Sequence, residues 1–417
     1  MINIIDKSKC CGCSACVQRC PKQCIELVED YEGFLYPKVD KKKCINCNLC
    51  EKVCPLINRT VKLQPIETLA VKNLNYNERM ASSSGGVFFA LAKAIIKKKG
   101  VVFGAIFDQN WEVTHTYAET IEAVKCMIGS KYLQSRIEQT YKEAEQFLKN
   151  GREVMFVGSP CQISGLKSFL GNKKYSNLLA VDFLCHGVPS PGVWRKYLHE
   201  TVCTDNIEYY KNTVKHIISY TQSNISDIQF RDKTEKGWKK FSLVVRGRKF
   251  NCDKDSILKS TEHCDDPFMR GFLSNIYLRK SCYRCKCKNG ISHSDITIAD
   301  YWGIDKLMPD FDDDRGVSLV LINTVKGKAI LDNLNIEKRI SSLEDAKRFN
   351  GGFKEYIKEH PNRNIFYKEL DKGRTIKEAV NKTLRMSFFT KSKIKIKHLV
   401  KHFNIKKNEN RNSDTSI

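Results

Sequence analysis

The sequence has no apolar run approaching the roughly 18 residues that a membrane-spanning helix requires, so no transmembrane segment is expected. Its first residues, Met1-Ile2-Asn3-Ile4-Ile5-Asp6, lack the basic start and apolar stretch of a secretory signal. A reducing, cytoplasmic setting is therefore expected. Proline is scarce at 10 in 417 residues and glycine numbers 23, too few for a collagen-like or Pro/Gly-rich disordered chain. Acidic residues are outnumbered, 47 against 71 Lys and Arg, which leaves a formal net charge of +24. That charge favours anionic partners. No recognisable nucleic-acid module accompanies it, so nucleic acid is not an expected partner. The densest basic run, Lys391 to Lys401, falls in the polar stretch 390–417. It reads as a mobile, solvated tail or as a weak contact with a membrane surface or an acidic partner.

What the chain has in abundance is cysteine, 19 residues in all. Eight of them form one pattern written twice: Cys10, Cys13, Cys16, Cys20 before Pro21, and Cys44, Cys47, Cys50, Cys54 before Pro55. Each copy reads C-x2-C-x2-C-x3-C-P, the run that builds paired 4Fe–4S clusters in bacterial ferredoxins. Three thiolates on a tight loop reach three corners of one cube, and the fourth departs on a short helix toward the neighbouring cube. Cys10, Cys13, Cys16 and Cys54 are therefore assigned to one cluster, and Cys44, Cys47, Cys50 and Cys20 to the other. Zinc also takes cysteines spaced by two residues, but a duplicated four-cysteine ladder is an iron–sulfur signature. A protein that moves electrons is expected.

Beyond this module the pattern alternates between strands and helices. Strands are expected at Thr68–Leu74, Val101–Phe107, Val113–Ala118, Glu153–Val157 and Leu178–Leu184. Helices are expected at Gly86–Lys98, Ser135–Asn150 and Pro160–Leu170, and after Pro189-Ser190-Pro191. Antiparallel strands follow at Asp227–Arg231, Phe241–Arg246 and Lys249–Asp253, then a helix at Asp265–Leu278. Strand returns at Ile296–Ala299 and Val317–Ile322, a helix at Lys326–Leu334, and mostly helix over 341–383. The fold class is α/β with α+β elements: a ferredoxin-like module over 1–58, a linker at 59–66, and a mixed, partly parallel α/β domain over 67–340. A helical segment spans 341–389 and the basic tail 390–417.

Three further features carry chemistry. Gly158-Ser159-Pro160-Cys161-Gln162 follows one strand and Phe183-Leu184-Cys185-His186-Gly187 ends the next, and the carboxyl ends of neighbouring parallel strands share one crevice. With the pair in Cys282-Tyr283-Arg284-Cys285-Lys286-Cys287, residues Cys161, Cys185, Cys282 and Cys285 make a third ligand set, with Cys287 as spare. The same residues also suit zinc, isolated buried thiols, or a reactive Cys161 at a helix N-terminus. The loop Ser83-Ser84-Gly85-Gly86 opens an amphipathic helix, and small residues there let backbone amides approach a dinucleotide phosphate. It is also an ordinary N-cap turn. Clusters carry single electrons, so a flavin is the expected converter to two-electron chemistry. Lys131, in Gly129-Ser130-Lys131-Tyr132, is a second phosphate or flavin contact. Lys131, His186 and Asp300 are acid–base candidates by motif position alone, and His186 reads more readily as structural.

In these segments the chain resembles the coenzyme F-420 hydrogenase/dehydrogenase beta-subunit family, in its bacterial form with a fused N-terminal ferredoxin module. The resemblance is carried by Ser83 to Phe88, Gly129 to Ser135, Gly158 to Ile163, Cys185 to Ser190, Phe230 to Lys233, Gly237 to Lys239, Cys282 to Cys285 and Ser294 to Gly303. It implies FAD and a 4Fe–4S cluster in the α/β region, and coenzyme F-420 as the redox substrate of archaeal relatives. The bacterial branch often accompanies surface-polysaccharide synthesis. The implied function is an iron–sulfur flavoprotein oxidoreductase exchanging electrons with an organic two-electron substrate, alongside a redox partner protein or a catalytic partner. The alternative is an electron-relay subunit with no substrate site of its own.

Overall fold

The computed structural model describes residues 1–58, 60–203, 225–248, 255–354 and 356–385. Two compact units emerge, Met1–His360 and Pro361–Ile417. Among the described residues no helix is long and apolar enough to cross a membrane.

In the first unit the cysteine ladders flank an antiparallel hairpin, β1 (Ile25–Glu29) and β2 (Leu35–Val39), with Ile25 opposite Val39. Five strands of a larger sheet follow: β3 (Glu67–Asn73), β4 (Val101–Phe107), β5 (Val113–Ala118), β6 (Val154–Val157) and β7 (Leu178–Phe183). A separate antiparallel sheet then holds β8 (Ile225–Asp232), β9 (Ser242–Arg248) and β10 (Asp255–Glu262). The third strand expected here, Lys249–Asp253, lies outside the described residues. The chain returns to the larger sheet with β11 (Ile296–Asp300), β12 (Ser318–Ile322) and β13 (Ile336–Ser341). The spatial order of those eight strands is β13-β3-β12-β11-β7-β6-β4-β5. The central strands β11, β7, β6 and β4 run parallel, and antiparallel strands close both edges.

The pleat sorts each strand onto two faces. Val102, Met155, Leu179 and Val181 pack against Val87, Leu91 and Ile95 of the helix Val87–Lys97. Val101, Phe103, Val154, Phe156, Leu178 and Ala180 face the helices Thr140–Lys149 and Pro160–Phe169. Cys11, Cys13, Ala15 and Val53 of the ferredoxin module belong to that second core, so the module is built into the body. Gly12 marks one close approach. It holds φ +71°, and a Cβ there would meet Gln134 Nε2 at 2.5 Å and the Arg279 guanidinium at 2.9 Å. Arg279 is buried and donates to the carbonyls of Cys10 (2.9 Å) and Leu35 (2.9 Å), fastening the first ladder.

Two expectations need correction. The helix expected from Ser135 begins at Thr140. Residues before it are held extended by β5, with His115 N donating to Arg136 O (2.7 Å) and Arg136 N to Val113 O (3.0 Å). The helix expected over Asp265–Leu278 is the shorter Pro267–Leu273, where Asn275 at φ +60° turns the chain. The mostly helical stretch expected over 341–383 is present as short helices at Leu343–Phe349, Arg363–Asp371 and Ile376–Leu384, interrupted by Gly351-Gly352, Pro361 and Gly373, and the edge strand β13 precedes it. Within the second unit the helix Ile376–Leu384 is capped reciprocally, Thr375 N donating to Glu378 Oε2 (3.0 Å) and Glu378 N to Thr375 Oγ1 (3.2 Å). The basic run 391–401 lies outside the described residues.

Candidate functional site

The ladder cysteines gather in two groups. Cys20, Cys44, Cys47 and Cys50 line one small cavity beneath the hairpin. Cys24, from the start of the hairpin, joins them with its Sγ 3.4 Å from that of Cys20. Cys16 is half-buried, and the thiols acting on it include those of Cys10 and Cys54, with Cys54 in turn beside Cys10. The fourth thiol of each ladder therefore stands with the first three of the other.

Cys161 is the second residue of the helix Pro160–Phe169, whose start is fixed by Gln162. Its Oε1 accepts from Ser159 N (2.9 Å) and Ser159 Oγ (3.0 Å). Cys185 follows β7, and Cys282 and Cys285 sit on and just after the turn Lys280–Arg284. Cys161, Cys185, Cys282 and Cys285 act electrostatically on one another, so the strand ends and the turn bring the four thiols together. Burial pushes the thiols of Cys185, Cys282 and Cys285 each up to about 12. Ligation must therefore take off protons that these buried thiols otherwise hold firmly. Cys11, which falls outside the ladder spacing, lies against Cys13 of the first ladder and against Cys161 and Cys287. Gly165 leaves room for this contact: a Cβ there would come within 3.0 Å of Cys13 Sγ. The first ladder and the third set are thus neighbours across a buried seam.

Cys161 and Cys185 of the third set open onto a cavity of about 600 Å³ at the carboxyl edge of the sheet. Ser83, Ser84, Gly86, Lys131, His186 and Asp300 all line it, as do Cys161 and Cys185. Gly85 stands behind the wall, wedged so that a Cβ would meet Val71 O at 2.4 Å and Ser318 N at 2.6 Å. The loop is stitched in place. Ser83 Oγ accepts from Ser130 N (2.7 Å), and the buried amine of Lys233 donates to the carbonyls of Arg79 (2.8 Å), Ser84 (3.0 Å) and Arg315 (2.5 Å). Gly86, at φ +83°, caps the helix Val87–Lys97 and turns its N-terminus to the cavity.

Lys131 extends its amine over the carbonyls of Ile128 (3.2 Å) and Gly129 (3.3 Å), and burial lowers its pKa to about 8. Asp300 is not a free base. Arg231 grips it twice (2.5 and 3.1 Å) and Trp238 Nε1 donates to it (3.0 Å). The guanidinium also lies 4.1 Å from the Phe241 ring centroid, and Trp238 stacks on Trp302 at 4.9 Å. His186 Nε2 pairs with Asn275 Oδ1 (2.7 Å), and burial lowers the imidazole pKa. A ring nitrogen facing an amide oxygen must carry the proton, so Nε2–H is donated and engaged. His115 is held the same way, Nε2 to Val157 O (2.9 Å) and Nδ1 to Ser135 Oγ (2.8 Å). Arg231, Lys233, Trp238 and Trp302 lie within sequence motifs that assign them no role. They gain one only because the end of β8 meets the end of β11 in space.

Residue types fit iron–sulfur clusters at the three cysteine groups. They also fit a dinucleotide at the cavity, where a glycine-opened helix N-terminus and the half-buried Lys131 amine face about 600 Å³ of space. Among the described residues no three His, Cys, Asp or Glu side chains converge as ligands of a single metal ion would.

Residues 9–56 match the 4Fe-4S dicluster domain, and residues 151–347 match the C-terminal part of the beta subunit of coenzyme F420 hydrogenase/dehydrogenase. Residues 151–347 belong to that beta-subunit family. Among solved structures, a chain in a xenon-derivatised F420-reducing NiFe hydrogenase complex from Methanosarcina barkeri is similar to this one. The two are 14% identical with a TM-score of 0.43, over 77% of this chain and 92% of that chain. No curated protein is significantly similar. A dicluster ferredoxin domain joined to a beta-subunit domain makes this an iron–sulfur protein of the electron-transferring oxidoreductase class. The matched beta-subunit segment contains the third cysteine set, Arg231 and Asp300. The Ser83–Gly86 loop and Lys131 precede it and reach the same cavity through the fold.

Proposed function

We propose that the chain is an iron–sulfur flavoprotein that exchanges electrons between its ferredoxin module and an organic two-electron substrate, a deazaflavin or a molecule of similar chemistry. The observation that supports this is the convergence of Cys161 and Cys185 of the third set, Ser83, Ser84 and Gly86 of the loop, and Lys131 on one cavity. When bound, the clusters supply single-electron steps and FAD converts them to a two-electron transfer.

The residues divide the work. Cys10, Cys13, Cys16 and Cys54 would hold the cluster nearest the body, Cys20, Cys44, Cys47 and Cys50 the outer one, and Cys161, Cys185, Cys282 and Cys285 the third. Cys11 and Cys287 are buried and fill the seam between the first and third groups. The Ser83–Gly86 loop would present backbone amides to the dinucleotide phosphates, with Lys233 bracing the loop from behind. Lys131 gives the cavity positive charge, which favours an anionic ring or phosphate, while the charge of Arg231 is taken by Asp300. His186 and Asp300 position walls and hold no exchangeable proton toward the cavity. A partner subunit would meet the outer ladder, where Cys47 is exposed.

Lys131 tests the flavin site through pH. Without a ligand in the cavity its amine is protonated below about 8. A bound anion favours that protonated form, so affinity for FAD holds at lower pH and falls as pH rises through about 8. In Lys131→Met, binding is expected to be roughly tenfold weaker, the loss of one charge-assisted contact, and flat across that range. Fluorescence titration of FAD into both proteins reads this. A wild-type affinity with no pH dependence there, matched by the variant, would remove Lys131 from the site.

A further inference from the structure

Lys288 lies three residues beyond Cys285 and is 5% exposed. Among the described residues its amine has no hydrogen-bond partner, and no carboxylate forms an ion pair with it. Together with Cys185, which also lines the larger cavity, it lines a second one of about 230 Å³. The buried carboxylate in that cavity's wall, Asp182, is already occupied. It accepts from the hydroxyls of Ser292 (2.5 Å), Ser294 (2.9 Å) and Thr297 (2.6 Å). A buried amine with nothing to pair with is costly unless an anion stands nearby.

The groups that do stand nearby are thiols of the third set. Burial drives Cys185 and Cys285 upward, and the charge of Lys288 pulls both the other way. We propose that Lys288 is the counter-charge of the third cluster, a positioning residue that sets its reduction potential. This rests on the reading of Cys161, Cys185, Cys282 and Cys285 as ligands of a cube. Four thiolates on a cube carry net negative charge, and net charge is one of the determinants of the potential. Reduction adds one electron and no proton, so the reduced site is the more negative and gains more from a fixed neighbouring cation. Lys288 therefore raises the potential and helps the third cluster accept an electron from the first.

The test is a potentiometric titration of the full-length, anaerobically loaded protein with dithionite as electron donor, followed by electron paramagnetic resonance. Iron is counted on the same samples, and Lys288→Met and Lys288→Arg are compared with wild type. The expected result is a lower midpoint potential for one cluster of three in Lys288→Met, with the other two unmoved. Lys288→Arg, which keeps the charge, should stay near wild type. Selective loss of the third cluster's iron in Lys288→Met, reversed in Lys288→Arg, would equally support the assignment. Three unchanged potentials in fully loaded Lys288→Met would overturn it, as would the same downward shift in Lys288→Arg. A wild-type protein with only two clusters would instead remove the ligand set on which the inference stands, and the iron count separates that failure from the others.

Discussion

Replacing Cys185 by alanine should leave about eight iron atoms per chain out of about twelve, the loss of one cube of three. Cys185 sits at the end of β7, where it meets Cys161 from the end of β6 and the Cys282–Cys285 turn. No spare thiol replaces it readily, because the two unused cysteines of this region, Cys11 and Cys287, lie on the Cys161 side. Alanine at Cys11 or at Cys287 should accordingly leave the iron content whole. The comparison is sharp because all three thiols lie in one region. A set of structural thiols would lose no iron in any of the three variants. Iron and acid-labile sulfide measured on anaerobically purified protein decide between these outcomes. Retention of about twelve iron atoms in Cys185→Ala, or equal losses in all three variants, would contradict the ligand assignment.

The second large effect concerns stability. Asp300→Ala should destabilise the fold by about 3–5 kcal/mol, because it strands the Arg231 guanidinium in a buried wall without its anion. The side chain of Arg231 is only 3% exposed, and its Nε already has no partner among the described residues. Tyr132 OH at 3.3 Å and the Phe241 ring cannot replace a carboxylate. Asp300→Asn should cost less, since an amide oxygen still accepts from Trp238 or Arg231. A denaturant-midpoint comparison of the three proteins measures this ordering. If Asp300 served as a general base, Asp300→Asn would abolish turnover while leaving stability near wild type. That outcome would contradict the role assigned here.

Much of this site is legible in the sequence. The ladders can be read because cube geometry dictates their spacing. The third set can be read because Cys161 and Cys185 follow successive parallel strands, which share an edge whatever the loops do. The Ser83–Gly86 loop announces itself through its small residues ahead of an apolar helix. What cannot be read depends on contacts between distant segments. Arg231 is on a strand of the small sheet and Asp300 on a strand of the large one, and nothing local in either segment signals their pairing. Asp300 looks like a catalytic candidate because a motif aspartate at a strand end is often free, and only its donors show that this one is held. Lys288 hides in a lysine-rich chain, where one buried amine has no distinguishing mark. The strand β13 escapes for a different reason. Its sequence Ile-Glu-Lys-Arg-Ile-Ser is charged, as suits an exposed sheet edge, and its ladder partner is β3 alone.

The proposed function requires three clusters and one flavin on a single chain. Purification under anaerobic conditions, with iron, acid-labile sulfide and flavin counted per chain, should return about twelve iron atoms and one FAD. About eight iron atoms and no flavin, in protein shown to be fully loaded, would contradict that function and leave an electron relay built on the two ferredoxin clusters alone.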